Sequence, residues 1–147
     1  MYDCAPMPRD AFPSPSQYDR AADHGRPLRV LVVEDDRDTV LSLLALLREE
    51  NHEARAVYKV ADVWDAMDGF DPDMLLVDIG LPDRSGYELA QEIRKRFGEK
   101  HPVLIAVTAW NKSSDKILAK IAGFDEHVGK PYDPSYLLGL LNELKPN

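Results

Sequence analysis

A single cysteine, Cys4, stands in the 147 residues. No disulfide can form within the chain, and such sparing thiol use fits a reducing, cytoplasmic setting. No apolar run approaches the ~20 residues that would span a bilayer. No basic start followed by an apolar stretch marks the N-terminus as a secretory signal. No glycine-rich phosphate loop follows the first apolar segment, so P-loop and dinucleotide-binding readings fail. The folded part contains neither an internal repeat nor a low-complexity stretch. Positive charge is also scarce: 18 Lys and Arg against 26 Asp and Glu leave a net charge of −8. A phosphate backbone repels such a surface, so direct nucleic-acid binding is not expected. The acidic surplus has two readings, general solubility or a cluster of carboxylates gathered to hold a cation, and the second requires the sequence to show that cluster.

What is present is enough for one domain and not comfortably for two. Residues 1–27 carry Pro6, Pro8, Pro13, Pro15 and Pro27 with few apolar groups between them. Such a stretch does not repay its ordering entropy, and it is expected to be a disordered tail. Its Tyr2, Phe12 and Tyr18 leave open a docking role, against the plainer reading of a solvated leader. From Leu28 to about residue 145 the pattern changes to alternating strands and helices. Leu28–Val33, Met74–Val77 and Val103–Val107 are short β-branched or apolar runs that suit strands buried on both faces, with weaker strands at Glu53–Val57 and Glu126–Gly129. Asp38 is expected to cap a helix through Glu50 that buries Val40, Leu43, Leu44 and Leu47, and Asn51 suits the left-handed residue that ends it. A second helix carries Val63, Trp64 and Met67. A third runs to about Phe97 with Leu89, Ile93 and Phe97 inward. A fourth, from about Ser114 to Ala122, carries Ile117, Leu118 and Ile121. The last spans about Pro134–Leu144, with Leu137, Leu141 and Leu144 facing the sheet and Tyr136 and Leu140 pointing elsewhere. Alternation of this kind predicts a doubly wound α/β fold with a five-stranded parallel sheet.

The residues that end the strands carry the chemistry. The first strand ends in Glu34 and Asp35, the third in Asp78, the fourth in Thr108, and the fifth just before Lys130. Ligands of open parallel sheets bind outside the carboxyl ends of the strands, so these residues should converge. At ~4 Å and an effective dielectric of ~20, each pair of like charges costs about 4 kcal/mol, so three gathered carboxylates either take up protons or bind a hard cation. Oxygen ligands of this kind suit Mg²⁺. A carboxylate nucleophile, a divalent metal, an ammonium and a hydroxyl together make a phosphoryl-transfer site.

Val32-Val33-Glu34-Asp35-Asp36, Leu76-Val77-Asp78-Ile79-Gly80-Leu81-Pro82, Val107-Thr108-Ala109 and Gly129-Lys130-Pro131, in this order and at these separations, resemble the response-regulator receiver family over residues 28–145. The resemblance implies a flavodoxin-like receiver fold with sheet order 2-1-3-4-5. It implies Asp78 as the phosphoacceptor, Asp35 as a direct Mg²⁺ ligand, Glu34 as a ligand through water, and the backbone carbonyl of Gly80 as a further ligand. Thr108 becomes the switch hydroxyl, Lys130 contacts the phosphoryl group, and Pro131 matches a bond that is often cis in the family. The implied partners are a sensor histidine kinase or a histidine phosphotransfer protein, with no nucleic acid and no membrane. The implied function is a single-domain response regulator of a two-component or phosphorelay system, a phosphoacceptor rather than a turnover enzyme. It would act by protein contact or by passing its phosphoryl group on. The chain ends at Asn147, soon after the last helix, which fits a stand-alone regulator; a receiver cut from a hybrid kinase or larger regulator is the competing expectation. A pseudo-receiver that binds without phosphorylation is another. A dehalogenase-type phosphatase wants a second Asp two residues after the first, and Gly80 stands there.

Several positions depart from the pattern or carry two readings. His127 stands where the family usually has Tyr or Phe on the last strand, so the coupling of Thr108 to the output face is expected to be altered or pH-sensitive. Gly80 has no side chain to orient an attacking water, and Trp110 is large enough to shade the site, so a long-lived phosphoryl state is expected. Asp36 reads as a helix-start residue and Asp83 as a loop residue rather than a ligand. Lys112, Lys116 and Lys120 share one helix face, either simply solvated or a docking stripe. Tyr136 and Leu140 leave open a partner contact or a homodimer, against a crowded core edge.

Overall fold

The computed structural model describes residues 27–81, 83–109 and 113–145, and the side chains of all of these except Ser113 and Ser114. The expected tail, save Pro27, lies outside the described residues, as do Trp110 and Lys112. The elements are β1 (Arg29–Val33), α1 (Arg37–Glu49), β2 (Glu53–Val57), a 3₁₀ turn (Val60–Asp62) leading into α2 (Val63–Met67), β3 (Met74–Asp78), α3 (Gly86–Phe97), β4 (Val103–Thr108), α4 (Ser113–Ala122), β5 (Glu126–Gly129) and α5 (Pro134–Glu143). The strands form one sheet in the order β2-β1-β3-β4-β5, with every neighbouring pair parallel. This is the predicted architecture.

The central strands are apolar between polar ends because both faces are covered. Successive side chains alternate sides. Leu31, Val33, Leu75, Val77, Leu104 and Ala106 pack into one core with Val63, Met67, Leu89, Ile93 and Ala119, from α2, α3 and α4. Val30, Val32, Met74, Leu76 and Ile105 pack into the other with Leu43, Leu47, Leu137, Leu140 and Leu141, from α1 and α5.

Three sequence expectations need correction. The cap of α1 is Asp36, not Asp38: Asp36 is extended and its carboxylate accepts the N–H of Thr39 at 3.1 Å, which starts the helix one residue before Asp38. Phe97 is not inward; it is 48% exposed and stacks on Trp64 at 6.4 Å between centroids, sealing the end of α3 from outside. Leu140 is not directed away from the sheet but buried, because α5 turns Leu137, Leu140 and Leu141 inward together, while Leu144 at the helix end is half-buried. On α4 the buried side chains are Ala119 and Ala122, whereas Ile117, Leu118 and Ile121 are exposed. Asn51 does adopt positive φ, +68°, after α1.

Arg94 has no sequence signal beyond its spacing from Ala90, four residues earlier on the buried face of α3. It lies buried and donates to the carbonyls of Gly123 (2.8 Å), Pro102 (2.8 Å) and Gly98 (3.3 Å) and to Asp125 Oδ2 (2.7 Å). The same Asp125 oxygen accepts the N–H of Leu104 at 2.8 Å. One guanidinium thus ties the end of α3, the entry to β4 and the turn before β5. Gly123 is required there: its φ is +117°, and a Cβ would lie 2.6 Å from Arg94 Cγ. Arg94→Met keeps the stem and removes every donor, so it should lower unfolding free energy by about 2–3 kcal/mol. Urea unfolding measures this; a loss below about 0.5 kcal/mol, the level of an ordinary surface change, would show the network to be incidental.

Candidate functional site

The site is assembled by register. Val33 pairs with Val77 across β1 and β3, Asp78 pairs with Val107, and Thr108 pairs with Gly129. Each residue that follows or ends a strand is therefore delivered to the same edge of the sheet. Glu34 continues β1, and its N–H still reaches Val57 O at 3.1 Å. Lys130 continues β5, its N–H bonded to Thr108 O at 2.7 Å. The peptide bond from Lys130 to Pro131 is cis.

Three of the predicted residues come together. Glu34, Asp35 and Asp78 each offer a carboxylate oxygen within 4.8 Å of the others, with Glu34 buried, Asp35 exposed and Asp78 between. The Lys130 ammonium lies 2.7 Å from Glu34 Oε1 and 3.5 Å from Asp78 Oδ2. The other oxygens are also held: Glu34 Oε2 accepts the Asp36 N–H at 3.1 Å, and Asp78 Oδ1 accepts the Gly80 N–H at 3.0 Å. Thr108 is buried at the end of the neighbouring strand. A Cβ on Gly80 would meet Asp78 Oδ1 at an ordinary 3.8 Å, so a side chain is accommodated there.

Burial decides the electrostatics. It pushes the Glu34 carboxyl above its ordinary value, and the negative Asp78 adds to the rise, while the hydrogen bonds from Lys130 and the Asp36 N–H draw it back. For Lys130 burial works the other way, against its charge, but the bond to Glu34 and the charges of Asp78 and Glu34 outweigh it and hold the ammonium above its ordinary range. For one ion pair the two directions oppose each other, and burial explains the difference: Glu34 is the more deeply buried partner, 5% exposed at its side chain against 27% for Lys130, so burial wins at Glu34 and attraction wins at Lys130. The donors fit a hard divalent cation. They are all carboxylate oxygens, they open to solvent at Asp35, and they hold three negative charges against one ammonium.

The remaining sequence candidates are placed elsewhere. His127 lies in β5 opposite Ala106, two residues before Gly129, away from the carboxylates, and neither ring nitrogen has a hydrogen-bond partner. Asp83 is structural: its carboxylate accepts the N–H groups of Val60 (3.2 Å) and Ala61 (3.1 Å), capping a 3₁₀ turn that has no side-chain cap of its own. Those backbone donors hold it below its ordinary value despite the opposing effect of burial. Sequence reasoning missed the orienting bond from Asp36 N–H to Glu34. It also missed a groove of about 940 Å³ that runs from Lys130 along α1, lined by Leu43, Leu46, Pro131 and Tyr132.

A family model described as the response regulator receiver domain matches residues 30–142. Among solved structures, a CheY-like receiver domain protein from Methanospirillum hungatei is 26% identical, with a TM-score of 0.73 over 80% of this chain and 93% of that one. The BeF3-activated N-terminal receiver domain of Klebsiella pneumoniae RstA is 22% identical, with a TM-score of 0.74 over 80% and 99%. The chemotaxis protein CheY4 of Vibrio cholerae is 19% identical, with a TM-score of 0.75 over 81% and 99%. The last two bear on the fold alone. No helix among the described residues is long and apolar enough to cross a membrane.

The raised Glu34 carboxyl has a sign that can be tested. A carboxyl raised in the fold adds stability below its ordinary value of 4.5, and that stability is lost as pH rises through the folded value. Without metal, Glu34→Gln should therefore be more stable than the wild-type chain at pH 7, with the difference shrinking as pH falls toward 4.5. Thermal unfolding in chelator across that range checks it; a variant less stable at pH 7 would show that the ion pair outweighs burial.

Proposed function

Since the chain belongs to the response-regulator receiver family, we propose that it accepts a phosphoryl group on Asp78 from the phosphohistidine of a sensor histidine kinase or a histidine phosphotransfer protein. The observation that carries this reading is the single ammonium of Lys130 between Glu34 and Asp78, with Asp35 beside them. An Asp78 carboxylate oxygen attacks phosphorus in line, a P–O bond forms, the P–N bond breaks, and the donor imidazole leaves with the electron pair. Lys130 remains charged at neutral pH and meets a phosphoryl oxygen. The Gly80 N–H keeps the other Asp78 oxygen turned away from the attack. Thr108, at the end of β4, donates its hydroxyl to the product.

Asp35, Asp78 and Glu34 would hold Mg²⁺ together with the Gly80 carbonyl. When bound, the ion supplies positive charge that offsets the carboxylates and the phosphoryl oxygens. The groove along α1 opens beside Lys130, which gives a donor room to approach. The chain acts as a phosphoacceptor that assists its own phosphorylation and hydrolysis, not as a turnover enzyme, and signals in the cytoplasm by contact or by relay. Whether it works as a stand-alone regulator is part of this proposal.

The deciding experiment is intact mass after incubation with a small phosphoryl donor. One phosphoryl group should be gained in the presence of Mg²⁺, and none without the metal or in Asp78→Asn. No gain by the folded, Mg²⁺-bound wild-type chain would instead identify a phosphorylation-independent binding module. The lifetime of the product follows from Gly80. With no side chain at that position to align water, the phosphoaspartate should persist, and Gly80→Asn should shorten its half-life by about threefold or more, a change of roughly 0.7 kcal/mol in barrier. Decay of the phosphorylated mass measures this, and equal half-lives would refute the role of Gly80.

A further inference from the structure

The groove beside Lys130 continues well away from the acidic cluster. It lies between α1 and the segment that joins β5 to α5, from Asp38 at one end to Glu49 at the other, and Ala45, Leu46, Pro131 and Tyr132 give it a mostly apolar lining. Ala45 and Pro131 are exposed, and Leu46 and Tyr132 are half-buried. Apolar surface gathered in this way favours an occupant that takes it out of water.

The place where the chain enters the domain points to that occupant. Twenty-six residues precede Pro27, the first described residue. The Leu28 N–H meets His52 Nδ1 at 3.2 Å, and Leu28 O accepts the Glu53 N–H at 2.9 Å. His52 stands three residues after Glu49, so the preceding chain joins the domain at the Glu49 end of the groove. Lengths agree as well. The nine residues from Tyr18 to Pro27 reach up to about 30 Å, enough to turn from the foot of β1 onto α1. Phe12 and Tyr18 stand six residues apart, with Pro13 and Pro15 between them. Proline favours an extended helix that rises about 3.1 Å per residue, which spaces the two rings by about 19 Å. Asp38 and Glu49 are eleven residues apart on α1, about 17 Å at the helical rise.

We propose that residues 12–18 of this same chain, which lie outside the described residues, dock in this groove. Tyr18 takes the Glu49 end, where Arg20 meets the Glu49 carboxylate. The two prolines pass over Ala45 and Leu46, and Phe12 reaches Tyr132 and Pro131. Proline-rich segments with aromatic anchors suit such grooves because their extended form is set before binding and costs little entropy. So docked, the segment covers the groove side of Lys130 and competes there with any donor protein. That consequence rests on the phosphoacceptor reading of Asp78; the docking does not, and its test uses the unmodified chain with no phosphoryl donor.

The full chain with isotope-labelled methyl groups should show nuclear Overhauser contacts from the Phe12 and Tyr18 rings to the methyls of Ala45 and Leu46. Phe12→Ser/Tyr18→Ser should abolish them and shift both sets of methyl resonances. Chymotrypsin gives a second readout at the bond between Tyr18 and Asp19. Cleavage there should be at least fivefold faster in Ala45→Glu and in Phe12→Ser than in the wild-type chain, at equal urea midpoints. Ala45 is exposed, so its substitution removes no core packing, and Phe12→Ser leaves every described residue in place. Absence of the contacts, or equal cleavage rates, would each overturn the proposal. Contacts that arise only between labelled and unlabelled copies would also overturn it, because a second copy would then be the occupant.

Discussion

Everything at the functional edge depends on one ammonium group. Among the described residues, Lys130 is the only cation within bonding reach of Glu34 and Asp78. Without it the carboxylates following β1 and ending β3 would meet each other across a few ångströms, with Glu34 almost out of reach of water. The lysine makes the cluster tolerable but does not neutralise it: one positive charge stands against three negative ones. The deficit remaining would suit a cation, while the rise of the Glu34 carboxyl comes first from burial and only then from the charge of Asp78. The fold bears this cost because the parallel sheet gives it no alternative. The register that pairs Asp78 with Val107 and Thr108 with Gly129 also delivers Lys130 to the spot.

The loops around that edge are short of internal support and borrow it from elsewhere. Asp36 serves twice, its carboxylate capping α1 and its N–H orienting Glu34. Asp83, five residues past Asp78 in sequence, caps the 3₁₀ turn before α2. Ile79 and Leu81 bury their side chains in the core and so flank Gly80 with fixed points. Gly86 packs so closely that a Cβ would lie 3.1 Å from Ile79 Cα, leaving α3 little freedom to shift against the loop that follows Asp78.

The parallel sheet was legible because buried parallel strands read as continuous apolar runs and each run stops at a polar residue, whereas its strand order came from the resemblance to the receiver family. The carboxylate cluster was legible for the same reason: strand ends are the easiest boundaries to find. What escaped was set by tertiary context. Phe97 and Leu140 were assigned to the wrong sides because periodicity locates a face but not which neighbour covers it. Asp36 and Asp38 are both competent caps, and the choice between them rests on where the backbone turns after Asp35. Arg94 was invisible because a buried arginine depends on carbonyls from three separate segments, and Asp83 because its partners lie more than twenty residues earlier.

The two polar regions of the domain also differ in kind. The cluster at Asp78 has too much negative charge and is built on strand ends held by a sheet. A smaller groove at His127 carries the positive charge of Lys116 and Lys120 and is built on the exposed flank of α4, where Ala119 and Ala122 alone reach the core and the larger apolar residues face outward. A helix anchored through two alanines removes less apolar surface from water than α1 or α5, which bury leucines.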